Sequence, residues 1–155
     1  MESSFFVEEN EIVGKEGERS MLLRWLMDEE PQRAVVSVVG MGGSGKTTLV
    51  ANAYNDHEVK RFFDCSTWVT ISQNYVIEDL LRRLIIDLFD GKNDPLALFD
   101  LKTMGYKQLA ETLVQFLQKK RYVVVLDDVW NDNLWMQINV ALPDSKNGSR
   151  VILTT

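Results

Sequence analysis

Apolar and polar positions change period several times along this chain, and each change predicts an element. Residues 1–11 are acidic through Glu8, Glu9 and Glu11 and read as an N-terminal arm, followed by the short apolar step Ile12-Val13-Gly14. From Glu16, Leu22, Trp25 and Leu26 recur at helical spacing, with Glu18 in the first turn. Asp28-Glu29-Glu30-Pro31 ends that helix. Ala34 to Val39 is apolar on both faces, as a strand buried inside a parallel sheet would be. A helix is expected to run on to about Tyr54 and to break at Asn55-Asp56-His57. Ser66 to Ile71 reads as a second strand. Ile77, Leu80, Leu81, Leu84, Ile85 and Leu88 draw the clearest amphipathic helix of the chain, which Asp90-Gly91 stops.

The second half continues the alternation. Residues 92–103 form a polar stretch in which Leu96, Leu98, Phe99 and Leu101 are expected to pack as an irregular cover. Leu109, Leu113, Phe116 and Leu117 mark a helix that ends in Lys119-Lys120-Arg121. Positive charge suits the negative pole of a helix, so the run reads as a solvated helix end rather than a nucleic-acid patch. Tyr122 to Leu126 is a buried strand that delivers two acids, Asp127 and Asp128. Leu134, Ile138 and Leu142 suggest a short helix, 146–149 a turn, and Arg150 to Thr155 one more strand. Strand and helix in alternation imply an α/β fold, with a parallel sheet, right-handed crossovers and helices on both faces. In such a sheet the ligand site lies beyond the carboxyl ends of the strands. The chain stops on an apolar strand, which reads as a fragment whose sheet is incomplete at the C-terminal edge.

Bulk properties narrow the chemistry. A length of 155 residues fits one domain plus the arm, and a 45% hydrophobic content is enough for a real core. The net charge of −6 argues against broad nucleic-acid binding by long-range attraction. Cys65 is the single cysteine, so no internal disulfide is possible, and a reducing, cytoplasmic setting is expected. His57 is the single histidine and has no cysteine near it in sequence, which disfavours zinc. The start lacks the basic and apolar regions of a signal peptide, and no run is long enough to span a membrane. Trp68, Trp130 and Trp135 read as core and rim residues, and Cys65 as a small packed thiol.

The strongest chemical signal is Gly40-Met41-Gly42-Gly43-Ser44-Gly45-Lys46-Thr47, which fits G-x-x-x-x-G-K-[ST]. It stands between a predicted strand and a predicted helix, where a phosphate cradle needs it. Glycines let the backbone wrap an anion closely, and the helix start adds partial positive charge. Lys46 is placed against the β- and γ-phosphates, and the Thr47 hydroxyl toward Mg²⁺. Asp127, at the mouth of a buried strand, is where a metal-bound water needs an acceptor. Asp128 is a candidate to orient or deprotonate an attacking water. Thr70 and Ser72, closing the second strand, are within reach of the γ-phosphate region but are assigned first to capping or turn chemistry.

Four segments together resemble one family: GMGGSGKTT from Gly40, FDCSTWVTISQNY from Phe63, YVVVLDDVW from Tyr122 and GSRVILTT from Gly148. They are similar in order and spacing, from about Ile12 onward, to the NB-ARC module of plant disease-resistance receptors of the nucleotide-binding leucine-rich-repeat class. The Trp after the paired aspartates resembles the subgroup with an amino-terminal coiled coil. The resemblance implies a P-loop NTPase three-layer sandwich with ADP, ATP and Mg²⁺ as ligands. It assigns Val13 and Gly14 to adenine, Gly42, Gly43, Ser44, Gly45, Lys46, Thr47 and Thr48 to the phosphates, Thr47 and Asp127 to the metal, and Asp128 to the acidic pair.

It further implies a switch between an ADP-bound resting state and an ATP-bound state that assembles for defence signalling, with slow Mg-dependent hydrolysis at most. Inverting such an equilibrium takes about 5.5 kcal/mol of differential binding. The expected partners, beyond the nucleotide, are receptor domains of a full-length parent and further copies on activation. Residues 12–155 correspond to the nucleotide-binding core, before the helical subdomains and the arginine that follows the two threonines in the family. Two other readings remain open: another P-loop enzyme, such as a small-molecule kinase or motor ATPase, and a fragment that does not switch or fold stably. No convincing kinase lid is evident, since Arg82-Arg83 lies on a helix and Lys119-Lys120-Arg121 at a helix end.

Overall fold

A computed structural model of the chain describes residues 3–8, 15–39, 45–89, 100–129 and 131–155. The elements are β1 (Ser3–Glu8), α1 (Lys15–Leu26), β2 (Ala34–Val39), α2 (Gly45–Tyr54), α3 (His57–Phe62), β3 (Cys65–Thr70), α4 (Ile77–Phe89), α5 (Tyr106–Leu117), β4 (Tyr122–Asp127), α6 (Asp132–Asn139) and β5 (Arg150–Thr154). The strands form one five-stranded sheet in the order β1-β2-β5-β4-β3. Every neighbouring pair is parallel. The expected α/β class is therefore borne out.

Alternating side chains on the central strands explain the layers. Val36, Val38, Val123, Val125 and Ile152 face a core closed by α1, α2 and α3. Val35, Val124, Leu126, Val151 and Leu153 face the opposite core, closed by α4, α5 and α6. Both faces of β4 and β5 are buried along their whole length, which is why these segments read as continuous apolar runs. Leu101 belongs to the second core, as the expected cover residue. Leu96, Leu98 and Phe99 lie outside the described residues.

Local expectations differ from the structure in places. The stretch read as an arm contributes β1, which runs parallel to β2 with Ser3 beside Ala34 and Glu8 beside Val39. α2 ends at Tyr54 as expected, but the break is followed at once by the unforeseen α3, because the Asp56 side chain accepts the Glu58 backbone N–H at 2.8 Å and caps the helix. Arg121 is not simply part of a solvated helix end. Its Nε donates to the Asn147 carbonyl at 2.8 Å and its guanidinium stacks 4.2 Å above the Phe62 ring. Gly148, at φ 89°, lets the chain pass close to that same guanidinium.

At the amino ends of the strands, buried arginine tightens the fold. Arg150 donates to the main-chain carbonyls of Trp25, Asp28, Glu30, Gln32 and Ser149, and so ties the end of α1 and the loop after it to β5. Burial lowers its pKa. Tyr122, fully enclosed in β4, donates its hydroxyl to the Pro143 carbonyl at 2.7 Å, and burial pushes its pKa up. These contacts leave the carboxyl ends of the strands as the pole where polar chemistry gathers.

Candidate functional site

Strand register sets the site. Val38 of β2 pairs with Thr154 of β5, and Thr70 of β3 pairs with Asp127 of β4. Leu126 pairs with Leu153, so Asp127 and Thr154 are the next residues on adjoining strands. A row of strand ends therefore brings two threonines to either side of one carboxylate. The helix α2 begins beside them and supplies Lys46 and Thr47 from its first turn.

Asp127 is 5% exposed and receives hydroxyl groups from three different elements. Thr154 donates to Oδ1 at 2.6 Å, Thr47 to Oδ1 at 3.2 Å, and Thr70 to Oδ2 at 3.3 Å. The Asp127 carbonyl accepts the Ile71 N–H at 2.8 Å, which fixes the strand end as well as the side chain. Hydroxyl donors satisfy the oxygens of this buried carboxylate.

Lys46 is buried at 8% exposure, and its Nζ donates to the main-chain oxygen of Thr155. That oxygen belongs to the residue after Thr154, so the ammonium and the Asp127 carboxylate share one rim of the sheet. Thr48 is exposed in the first turn of α2, beside Gly45 and Thr47. Asp128 follows β4 with φ 63°, in the left-handed region that Asp tolerates better than most residues. Its backbone N–H donates to Thr154 Oγ1 at 2.9 Å, and Val129 N–H donates to the Thr154 carbonyl at 2.8 Å.

The expected site residues thus divide. Thr47 and Asp127 meet, and Lys46 bonds Thr155 at the end of the adjoining strand β5, with Gly45, Thr48 and Asp128 next to them in sequence. Val13, Gly14, Gly42, Gly43, Ser44 and also Trp130 lie outside the described residues. Thr70, expected to serve in capping or turn chemistry, bonds the Asp127 carboxylate. Thr154 was legible only as part of an apolar strand with a threonine end. The signal that points to it is a hydroxyl residue at the carboxyl end of the strand next to the one that carries the acid.

The donor set suits a small hard cation. A threonine hydroxyl and a carboxylate are oxygen ligands of the kind Mg²⁺ takes, and Mg²⁺ keeps several waters and phosphate oxygens besides. No group of three or more His, Cys, Asp or Glu gathers among the described residues. A site completed by phosphate and water does not need one.

Comparison with known proteins agrees with this geometry. Disease resistance protein RPM1 of Arabidopsis thaliana is 50% identical over 154 residues, which cover 99% of this chain and 16% of that protein. Disease resistance protein RPP13 of the same plant is 38% identical over 149 residues, 96% of this chain and 18% of the relative. Disease resistance RPP13-like protein 4, also from Arabidopsis thaliana, is 35% identical over 156 residues, 99% of this chain and 17% of the relative. The chain spans less than a fifth of the length of these relatives. No helix among the described residues is long and apolar enough to cross a membrane. Residues 15–155 match the family model described as NB-ARC domain, as the four sequence segments led one to expect, and the chain belongs to that family.

Proposed function

We propose that the chain is the ADP- and ATP-binding core of a plant immune receptor that acts in the cytoplasm as a nucleotide-dependent switch in defence. The meeting of Thr47 Oγ1 and Asp127 Oδ1 at 3.2 Å carries this reading, because it joins the helix after the glycine loop to the acid-bearing strand. Lys46, on the same rim, supports the assignment of the γ-phosphate to the space between α2 and β5.

In this reading Gly42, Gly43, Ser44 and Gly45 wrap the phosphates with main-chain N–H groups, and Lys46 and Thr48 complete the cradle. Thr47 and Asp127 hold Mg²⁺, which when bound supplies positive charge against the phosphate oxygens. Val13 and Gly14 contact adenine. Asp128 orients water for hydrolysis that is slow at most. Around the core, receptor domains of a longer parent and further copies after activation are the proposed partners.

Titration of the purified chain with fluorescent ADP and ATP tests the assignment, with Lys46→Ala as the comparison. Binding by the wild type that the substitution abolishes is expected. Equal binding by two proteins with matching melting curves refutes the phosphate-loop assignment. Fast turnover with a defined acceptor molecule refutes the switch and favours a kinase.

A further inference from the structure

We propose that Thr154 is a positioning residue for the metal site: through its hydroxyl, β5 fixes the orientation of the Asp127 carboxylate beside Thr47. The inference rests on the nucleotide-binding reading above and adds a residue to it.

The argument begins with one hydroxyl. Thr154 is 1% exposed, so water cannot replace either of its partners. Its Oγ1 accepts the Asp128 N–H at 2.9 Å and donates to Asp127 Oδ1 at 2.6 Å. A hydroxyl has a single proton. With an amide pointed at its lone pair, that proton is directed at the carboxylate, and its direction is set by the backbone of the turn after β4. The Thr154 carbonyl fixes the same turn from the other side by accepting the Val129 N–H at 2.8 Å. Thr154 therefore clamps 127–129 at three points, one of them the functional carboxylate.

The other two hydroxyls on Asp127 are different in kind. Thr47 and Thr70 are both exposed and sit at 3.2 and 3.3 Å. Thr47 would hold the metal in the proposed site, and its hydroxyl shares Oδ1 with Thr154. Thr154 is the buried, short-range donor of the three, so it is the one that holds the carboxylate in place beside Thr47. Partners of this outer kind typically set metal affinity by about ten- to a hundred-fold.

The test measures ADP binding by fluorescence as Mg²⁺ is titrated, in the wild type, Thr154→Val and Thr154→Ser. Valine keeps the volume and loses the hydroxyl, whereas serine keeps both hydrogen bonds. The half-saturating Mg²⁺ concentration is expected to rise about tenfold or more in Thr154→Val and to stay near the wild-type value in Thr154→Ser. Affinity measured with a chelator in place of Mg²⁺ should change far less. A merely structural role would lower both affinities together and would not respond selectively to the metal. Should Thr154→Val lose its cooperative melt, Thr154→Ala, which also lacks the hydroxyl, carries the same comparison. An unchanged Mg²⁺ midpoint in a folded Val or Ala variant overturns the proposal and leaves the nucleotide reading standing. Wild-type ADP binding that ignores Mg²⁺ overturns the proposal together with the assignment of Thr47 and Asp127 to the metal.

Discussion

Thr47 Oγ1 stands 3.2 Å from Asp127 Oδ1, although the two residues are 80 positions apart in the chain. The strand order brings them together: β5 lies between β2 and β4, so the first turn of the helix after β2 reaches the end of β4 across one intervening strand. Removing the hydroxyl while keeping the shape isolates its role. Thr47→Val should weaken ADP binding in Mg²⁺ by about tenfold, or about 1.4 kcal/mol. The loss should be smaller with a chelator present. Thr47 is exposed, so the melting temperature of the nucleotide-free protein should move little. Equal losses with and without Mg²⁺ would place the hydroxyl on phosphate rather than metal.

A second expectation concerns the turn after β4. Asp128 adopts φ 63°, a conformation that costs most residues with a side chain about 1–2 kcal/mol. Glycine adopts it freely, and a β-branched residue does so worst. Asp128→Gly should keep stability near the wild-type value, and Asp128→Val should lower it by about 1–2 kcal/mol in urea unfolding. Hydrolysis measured in the glycine variant separates chemistry from strain. If Asp128 orients water, turnover falls while stability and ADP affinity hold.

Much of this architecture can be read from the chain, and the omissions have physical causes. β2, β4 and β5 were legible because both their faces are buried, and α4 because Leu80, Leu81, Leu84, Ile85 and Leu88 make one stripe. The helix α3 was missed because it is six residues long with only Val59 buried, too little for a period to appear. β1 was missed because its acidic neighbourhood hides a strand whose pairing is wholly long-range. Lys46, Thr47 and Asp127 could be picked out from residue type and motif. Thr154 and Thr70 could not, since which strand lies beside β4 is a property of topology and not of local pattern. Arg150 was hidden for the same reason: its partners are carbonyls, which carry no side-chain signature.

Arg150 gives the third expectation. It is the largest fully buried side chain among the described residues, and its guanidinium answers five main-chain carbonyls. Arg150→Met keeps much of the packing but leaves those acceptors without donors. A loss of about 3 kcal/mol in urea unfolding is expected, within the range for stranded buried polar groups. Arg150→Lys should recover only part, because an ammonium with three N–H bonds cannot satisfy the whole fork. A loss below about 0.5 kcal/mol, the range of ordinary surface changes, would show that loop 28–32 finds water instead.

The last expectation is a pH dependence at Asp56. Its carboxylate caps α3 by accepting the Glu58 N–H at 2.8 Å, and Arg19 of α1 approaches it at 3.4 Å. The Glu58 hydrogen bond is the main cause that holds its pKa below the ordinary aspartate value, with Val59 N–H and Arg19 assisting. The unfolded chain titrates near the ordinary value of about 4, so the unfolded state takes up a proton first as pH falls. The cap charge therefore stabilises the fold above that pH, and its contribution fades as pH drops through the depressed folded value. Asp56→Asn is the matched comparison, since the amide keeps an acceptor oxygen for the cap and carries no titrating proton. The wild type should melt above Asp56→Asn at pH 7, and the gap should narrow as pH falls below about 4. A gap that stays constant over that range would mean that the carboxyl titrates alike in both states, and that neither the Glu58 amide nor Arg19 favours its charge.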